Sequence, residues 1–181
     1  MLKVLKRSFY ARSSALVAKE LLGKIIVREF SGRKITARIV ETEAYLGKND
    51  PASHAAGKMT KRNSVMFGAP GHAYVYFCYG CHFMFNTVTE KEGRAGAVLI
   101  RAAEIAGSSP RAGGPGKLAK YLKIGRGLNE HDLTSGRKLY IADDGFVPEK
   151  TGKSGRIGIS GAREKLLRFF IKGNRHVSKY R

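Results

Sequence analysis

The sequence predicts a single α+β domain, covering residues 1–181, built around a mostly antiparallel β-sheet. Its length suits one domain that can enclose a hydrophobic core. Strand-like runs outnumber helical ones, and several follow each other across short turns, which favours antiparallel pairing. The sequence contains no internal repeat and no low-complexity linker that would divide it further.

The first predicted elements are one helix and two strands. Ser13 and Ser14 can cap a helix over 15–22 that ends at Gly23, since glycine readily adopts the left-handed conformation found after helices. Two runs rich in Ile, Val and Thr follow, separated by a Ser-Gly-Arg-Lys turn. These runs, 24–30 and 35–45, therefore predict a β-hairpin.

Residues 47–71 form a long predicted loop punctuated by Gly, Pro and Asn, with a short helical turn near 51–56. Loops of this length in a compact domain are usually functional. The aromatic-rich runs 73–79 and 81–89 follow it, with a turn near Gly80. They predict a second β-hairpin.

The rest of the chain predicts more strands than helices. Residues 97–104, 138–143, 156–160 and 166–172 carry runs typical of strands. Residues 116–124 fit a short helix because their apolar side chains recur at helical spacing. The sum of these elements is a mostly antiparallel α+β domain.

Charge indicates the class of partner. The chain carries 34 Lys and Arg against 14 Asp and Glu, a net charge of +20, with no acidic residue between Asp50 and Glu90. Such a domain favours polyanions, because each neutralised phosphate releases counterions. An acidic membrane surface is a weaker alternative, and no apolar run approaches the roughly 20 residues needed to span a bilayer. The N-terminus is too short and too charged for a signal peptide. We expect a nucleic-acid-binding protein of the cytoplasm or nucleoid, or of the nucleus in a eukaryote.

Cys78 and Cys81 form a Cys-x-x-Cys pair without the second pair or histidine spacing of a zinc site. A redox-active pair would normally open a helix after a strand. This pair instead flanks a Tyr-Gly turn. We therefore interpret both cysteines as structural, in a reducing compartment, and expect no metal.

Two carboxylates stand out ahead of the acid-free stretch. Glu41 and Glu43 are two residues apart on a predicted strand, so their side chains face the same side. Each could simply pair with Arg or Lys. Alternatively, one is a general base that activates water and stabilises positive charge on a sugar while a glycosidic bond breaks. Position alone does not choose between the two glutamates.

Aromatic side chains are the second feature of this region. An enzyme that acts on a base in a duplex must extrude the base and hold it between flat groups. Tyr45, His54 and Tyr76 are available for such a clamp, although sheet packing or an ordinary loop position would also explain them. Tyr79, at the predicted hairpin turn, has no core to fill and could wedge into a base stack.

Several sequence blocks around these residues occur in a characteristic order. The longest is Arg-Ile-Val-Glu-Thr-Glu-Ala-Tyr-Leu-Gly over 38–47, followed by His54. Further blocks are Thr60–Asn63, Met66-Phe67, Pro70-Gly71, Tyr74–Tyr76, Tyr79-Gly80, Asn86, Val98–Ala102, Gly114–Leu118, Arg156–Gly158 and Leu167–Phe169. From about Ser13 to Ser178 the chain thus resembles the alkyladenine (3-methyladenine, methylpurine) DNA glycosylase family. The resemblance implies that family's mixed fold, an antiparallel sheet with a protruding β-hairpin, like the barrel of a formyltransferase C-terminal domain.

The resemblance also implies a reaction. Family members are monofunctional: they hydrolyse the N-glycosidic bond of a damaged purine and leave an abasic site, without lyase activity, metal or cofactor. Glu43 matches the catalytic base, and Arg101 and the backbone carbonyl of Ile157 match the groups that hold the attacking water. We expect Glu43 to be ionised near neutral pH, with Arg101 favouring the charged form and Glu41 opposing it.

Roles in substrate binding follow from the same resemblance. Tyr45, His54 and Tyr76 match the rings that sandwich the flipped purine, and the backbone N–H of His54 matches the group that binds its six-position edge. Asn86 matches the residue whose bulk disfavours the exocyclic amine of normal guanine. Tyr79 matches the residue intercalated into the duplex at the vacated position.

The implied partner is double-stranded DNA with a damaged purine, bound by a monomer. Thr60, Arg62 and Lys117 are candidates for contacts with the DNA backbone. The candidate substrates are 3-methyladenine, 7-methylguanine, hypoxanthine and ethenoadenine, which the sequence does not rank. The segment 159–164 is shorter than its counterpart in the family, which bears on pocket closure and substrate range.

Two other classes stay open from the residues. A catalytically silent DNA-binding protein could use the same fold, although intact Glu43, Arg101 and Tyr79 argue against it. A formyltransferase-like enzyme acting on carbohydrate or methyl groups would need a cofactor-binding glycine-rich loop. Residues 113–117 are rich in glycine but lack the spacing of a P-loop or a Rossmann turn.

Overall fold

The structure, a computed structural model, describes residues 1–78, 80–105 and 113–178. These residues form an antiparallel sheet of nine strands and three short α-helices. The helices are α1 (Arg7–Tyr10), α2 (Ser14–Glu20) and α3 (Pro115–Tyr121). The strands are β1 (Lys3–Val4), β2 (Ile25–Phe30), β3 (Arg33–Tyr45), β4 (Ala73–Cys78), β5 (His82–Val88), β6 (Ala97–Ile105), β7 (Leu139–Asp143), β8 (Thr151–Ser154) and β9 (Arg168–Ile171).

Strand β3 is the centre of the sheet. The main order is β1-β7-β2-β3-β6-β5-β4, and β9 pairs with both β3 and β8. Residues 33–38 of β3 pair with β2, whereas residues 41–43 pair with β9, and β6 lies along the other edge of β3. The sheet therefore branches where β3 changes partner, and both candidate carboxylates lie on that segment.

The main core lies between one face of this sheet and helices α2 and α3. Val75, Phe85 and Ile100 point from β4, β5 and β6 into this core. Val17 of α2 and Leu118 of α3 are fully buried in the same cluster. Each such side chain stabilises the fold by roughly 1.5–3 kcal/mol when it is removed from water. Because strand residues alternate between faces, the opposite face of the same strands is free to carry other chemistry.

Most predicted elements are confirmed, including the antiparallel α+β class and both hairpins. One predicted strand is wrong: residues 156–160 are irregular, and the strand of this region is β8, just before them. Gly158 has a φ of +74°, a left-handed conformation that breaks a strand, and Arg156 turns inward to bind Asp50. The likeness to a formyltransferase barrel stays a prediction.

The long loop after β3 differs from its prediction in one detail. Residues 51–56 form turns, and the short 3₁₀ helices of this loop lie at Gly47–Asn49 and Ser64–Phe67. The side chain of Asp50 accepts hydrogen bonds from the backbone N–H groups of Leu46 and Ala52. The Asp50 side chain thus fixes the start of this loop. Among the helices of the described ranges, none is long and apolar enough to cross a membrane.

Candidate active site

A cleft of about 440 Å³ lies on the sheet face that points away from the main core. Its size is typical of a site that encloses a small ligand. Alternate residues of four neighbouring strands line it, together with the loop after β3 and the segment after β8. The lining includes Tyr45 of β3, Tyr74, Tyr76 and Cys78 of β4, Met84 and Asn86 of β5, Ala97, Leu99 and Arg101 of β6, Pro51–His54 and Met66 of the loop, and Ile157–Ser160.

Glu43 is fully buried beneath this lining. Its Oε1 accepts a 2.7 Å hydrogen bond from the backbone N–H of Ile157, and its Oε2 accepts one of 3.0 Å from the Tyr45 hydroxyl. Arg101 Nη1 lies 3.2 Å from Oε2. All three residues line the cleft. Because an ionised carboxylate has about four lone-pair sites, these two hydrogen bonds and the ion pair leave capacity for a further hydrogen bond.

Arg101 lies on β6, the strand beside Glu41 and Glu43, and reaches both carboxylates from there. The pairing is irregular at this point, since Glu41 pairs with Ala102 and the next residue of β3 pairs with Ile100. Val40 and Arg101 are both skipped, and the register is the same on either side of them. Arg101 Nε donates to Oε1 of Glu41 at 2.9 Å, and its other end faces Glu43. The prediction that both carboxylates face the same side of β3 is confirmed.

Glu41 has surroundings of its own. Its Oε1 accepts hydrogen bonds from Arg168 Nε at 2.6 Å and from the Ser178 hydroxyl at 2.7 Å, and its Oε2 accepts the Ser178 N–H at 2.7 Å. Burial raises the pKa of Glu41, but Arg101, Ser178 and Arg168 together outweigh it. The pKa of Glu41 therefore lies below its ordinary value.

The pKa of Glu43 shifts the opposite way. Burial raises it, and Arg101, the Ile157 N–H and the Tyr45 hydroxyl offset only part of that effect. The expected influences of Arg101 and of Glu41 are both present, but burial is larger, so the pKa lies above its ordinary value. Two neighbouring carboxylates whose pKa values are pushed apart are typical of acid–base sites.

Three rings meet at one wall of the cleft. His54 Nδ1 lies 2.9 Å from the Tyr74 hydroxyl, and the rings of His54 and Tyr76 are 4.6 Å apart in an edge-to-face arrangement. Burial lowers the pKa of His54, and nearby Arg62 lowers it further, which favours the neutral imidazole. Tyr74 was not among the predicted site residues, although its two-residue spacing from Tyr76 already placed it on the same face.

Tyr45 forms a second wall, supported from behind by a buried ion pair. The Arg156 guanidinium lies 4.8 Å from the centre of the Tyr45 ring. Arg156 binds the Asp50 carboxylate through both of its terminal nitrogens, at 2.5 and 2.6 Å, and neither side chain is exposed. The pair joins the loop after β3 to the segment after β8. The sequence analysis did not predict this ion pair, because Asp50 and Arg156 are 106 residues apart.

Asn86 lies on the cleft floor beside these walls. It is 3% exposed, and its Nδ2 donates a 3.0 Å hydrogen bond to the backbone carbonyl of Tyr74. This bond holds the amide in one orientation. Asn86 also pairs with Leu99 of β6, another cleft residue. Asn86 thus lines the cleft, while its contact with a bound base and its selective role stay predictions.

The remaining candidates lie around the cleft. Arg62 is exposed, with its guanidinium 5.2 Å from the Tyr76 ring. Thr60 is exposed and its N–H donates to Asn63, whose amide in turn holds the His54 carbonyl. Lys117 is exposed on α3, the helix whose first residue, Pro115, lines the cleft. Tyr79 falls outside the described residues.

The two cysteines are free thiols: Cys78 is half-buried at the cleft and Cys81 is exposed. Within the described residues, no group of three or more His, Cys, Asp or Glu is arranged to hold a metal ion. The chemistry that the cleft itself offers is that of a buried carboxylate beside an aromatic binding surface.

Comparisons with known proteins identify the family to which the chain is similar. A family model described as "Methylpurine-DNA glycosylase (MPG)" matches residues 8–175. A protein of Carboxydothermus hydrogenoformans is 49% identical over 190 residues, covering 97% of this chain and 99% of the relative. Relatives from Legionella pneumophila (strain Corby) and Methanocella arvoryzae are 47% and 45% identical, covering 98% and 97% of this chain and 100% and 96% of their own lengths. All three relatives are named "Putative 3-methyladenine DNA glycosylase".

Proposed function

Because this chain belongs to the methylpurine-DNA glycosylase family, we propose that it excises alkylated or deaminated purines from double-stranded DNA by hydrolysing the N-glycosidic bond. The observation that carries the proposal is the position of Glu43. A buried carboxylate held by Tyr45, Arg101 and the Ile157 N–H lies directly behind an aromatic cleft. This arrangement suits a base that activates one water molecule.

In the proposed reaction, a water molecule takes a free hydrogen-bonding site of the Glu43 carboxylate. Arg101 and the Ile157 carbonyl orient it toward the anomeric carbon of the flipped nucleotide. As the bond to the purine breaks, positive charge grows on the sugar, and the negative charge of Glu43 stabilises it. Glu43 accepts the proton of the attacking water. The products are a free purine and an abasic site, with no covalent bond between protein and sugar.

The cleft would select the purine by stacking and by exclusion. A cationic alkylated purine is a good leaving group and stacks well between Tyr45, Tyr76 and a neutral His54. A neutral lesion such as hypoxanthine needs the backbone N–H of His54 and protonation of the purine itself. The fixed amide of Asn86 would exclude the exocyclic amine of normal guanine. The candidate substrates are 3-methyladenine, 7-methylguanine, hypoxanthine and ethenoadenine.

The surface around the cleft suits a duplex. The acid-free stretch between Asp50 and Glu90 supplies the loop and the β4–β5 hairpin on one side of the cleft. Thr60, Arg62 and Lys117 would contact the DNA backbone, and Tyr79 would fill the space of the flipped base. The basic surface would bind DNA phosphates in a salt-sensitive way, which would let a monomer search along the duplex.

Single-turnover base release tests the proposal. The substrates are duplex oligonucleotides carrying one hypoxanthine or one ethenoadenine, and methylated bulk DNA, all with EDTA present. We expect base release that leaves an alkali-labile abasic site. Glu43→Gln should abolish release and retain DNA binding, whereas Glu149→Gln, the same change at an exposed position, should act like the wild type. Tight binding by the wild type without release from any substrate would instead indicate a catalytically silent DNA-binding protein.

A further inference from the structure

We propose that Glu41 is a positioning residue for the reaction proposed above: it holds Arg101 at Nε and so fixes how Nη1 of the same guanidinium approaches Glu43. The inference rests on the proposed function, because it assigns Glu41 a role in presenting Glu43 to water. Among the residues that hold Glu41, only Arg101 lines the cleft, so the role of Glu41 is indirect.

The geometry of Arg101 is the first support. Its Nε lies 2.9 Å from Glu41, whereas its Nη1 lies 3.2 Å from Glu43, and the arginine side chain is 8% exposed. A guanidinium is planar and rigid, so a contact at Nε restricts the direction of the terminal nitrogens. The Nε contact with Glu41 therefore fixes the direction from which Nη1 approaches Glu43.

The surroundings of Glu41 are the second support. Four hydrogen bonds reach its carboxylate, from Arg101, from Arg168, and from both the N–H and the hydroxyl of Ser178. Arg168 is itself held by the Ser154 hydroxyl on β8. Glu41 thus joins three strands and the C-terminal part of the described chain at one point. A carboxylate held this firmly provides a fixed anchor for Arg101.

This anchor has a consequence for the chemistry of Glu43. If Arg101 were released from Glu41, Glu43 would be the nearest remaining carboxylate for its buried charge. A two-nitrogen pair would occupy the lone pair that water needs and would stabilise the charged form of Glu43, making it a weaker base. Glu41 therefore keeps Glu43 available for water by competing for the same arginine.

The charged and titratable groups around Glu43 come from several elements. They are Glu41 and Tyr45 on β3, Arg101 on β6, Arg168 on β9, Tyr76 on β4 and Arg156 in the segment after β8. Removing the charge of Glu41 leaves the buried cations Arg101 and Arg168 less compensated. Loss of repulsion from Glu41 and closer pairing with Arg101 both lower the pKa of Glu43, so the two effects have the same sign.

The test is the pH dependence of single-turnover base release by Glu41→Gln. Release needs ionised Glu43, so its rate falls as the pH drops through the pKa of Glu43. We expect the plateau rate to fall by on the order of tenfold to a hundredfold, at most the lower end of what a general base contributes, and the acid limb of the pH profile to move to lower pH. Glu41→Asp, which keeps the charge, should return the limb toward the wild-type position.

A second variant covers the case in which Glu41→Gln does not fold. Ser178→Pro removes both donors of Ser178 and should loosen Glu41, moving the acid limb in the same direction by a smaller amount. Glu90→Gln is the matched control, because Glu90 is a largely buried carboxylate that accepts a hydrogen bond from the Ser14 N–H. Glu90→Gln should lower the thermal stability and leave the acid limb of the pH profile unchanged.

The outcomes separate the inference from the proposed function. The role of Glu41 would be overturned if either variant released base more slowly without moving the acid limb, or if the acid limb moved to higher pH. A wild-type protein that releases no base would refute the proposed function, and the positioning role with it. An active wild type with unshifted variants would refute only the positioning role.

Discussion

The Tyr45 hydroxyl donates a 3.0 Å hydrogen bond to Glu43 while the Tyr45 ring lines the cleft. One side chain thus connects the surface on which a base would stack to the carboxylate that would activate water. The hydrogen bond favours the charged form of Glu43 and so lowers its pKa, against the larger effect of burial.

Tyr45→Phe keeps the ring and removes this hydrogen bond. The pKa of Glu43 should then rise further, so that the acid limb of base release moves to higher pH, with severalfold slower release below neutrality. The measurement is a single-turnover pH profile. Tyr140→Phe is the control, since the Tyr140 hydroxyl contacts Glu29 on β2, remote from the cleft. An unshifted limb in Tyr45→Phe would contradict the assignment of Glu43 as the base.

Arg156→Met should destabilise the fold by about 3–5 kcal/mol, because it leaves the Asp50 carboxylate buried without its partner. Urea denaturation measures this loss. The control changes a more exposed ion pair: Arg38→Met removes the partner of Asp144, whose side chain is 28% exposed. The free energy of unfolding of this variant should fall by at most about 1 kcal/mol. Equal losses in the two variants would show that the buried pair has no special role.

The same pair predicts a dependence of stability on pH. Burial raises the pKa of Asp50, but its hydrogen bonds and Arg156 outweigh this, so the folded-state pKa lies below the ordinary value. The pair therefore stabilises the fold above the unfolded-state pKa of Asp50, and that contribution is lost as the pH falls through the folded-state pKa. The free energy of unfolding of Arg156→Met should vary less with pH over this acidic range than that of the wild type.

Asn86→Ser should relax discrimination against normal guanine. The shorter side chain removes bulk from the cleft floor, and contacts of this size change selectivity by roughly tenfold or more. The measurement is release of guanine from undamaged DNA relative to release of hypoxanthine. Asn129→Ser is the control, because Asn129 binds the backbone of Val75 without lining the cleft. Unchanged selectivity would remove Asn86 from the proposed recognition of the base.

Tyr79→Ser should weaken binding to a lesion-containing duplex more than binding to an undamaged one, since only the flipped state leaves a gap for the ring. Fluorescence anisotropy with both duplexes, using a Glu43→Gln background to prevent cleavage, measures the difference. Phe77→Ser removes another ring of the same hairpin, which packs against Phe83, and serves as the control. Equal weakening on both duplexes would show that Tyr79 only adds general affinity.

The sequence alone determined the class of fold and part of the cleft lining. Strand alternation has a period of two, so Tyr74, Tyr76 and Asn86 could be placed on their faces from local pattern. The block over 38–47 is contiguous, so it identified both glutamates and Tyr45 together. The local pattern wrongly predicted a strand at residues 156–160. There the conformation of Gly158 and the contact of Arg156 with the distant Asp50 determine the backbone.

Only the tertiary structure decided how the surroundings of the two glutamates differ. Strand position did not distinguish Glu41 from Glu43, and only the family resemblance assigned the catalytic role to Glu43. Their difference arises from Ser178, which binds Glu41, and from the Ile157 N–H, 114 residues away, which binds Glu43. Such contacts depend on the register of the paired strands and on where the C-terminal segments pack against the sheet. Burial and hydrogen bonding set opposite pKa shifts for two identical side chains, and no local sequence signal encodes either of them.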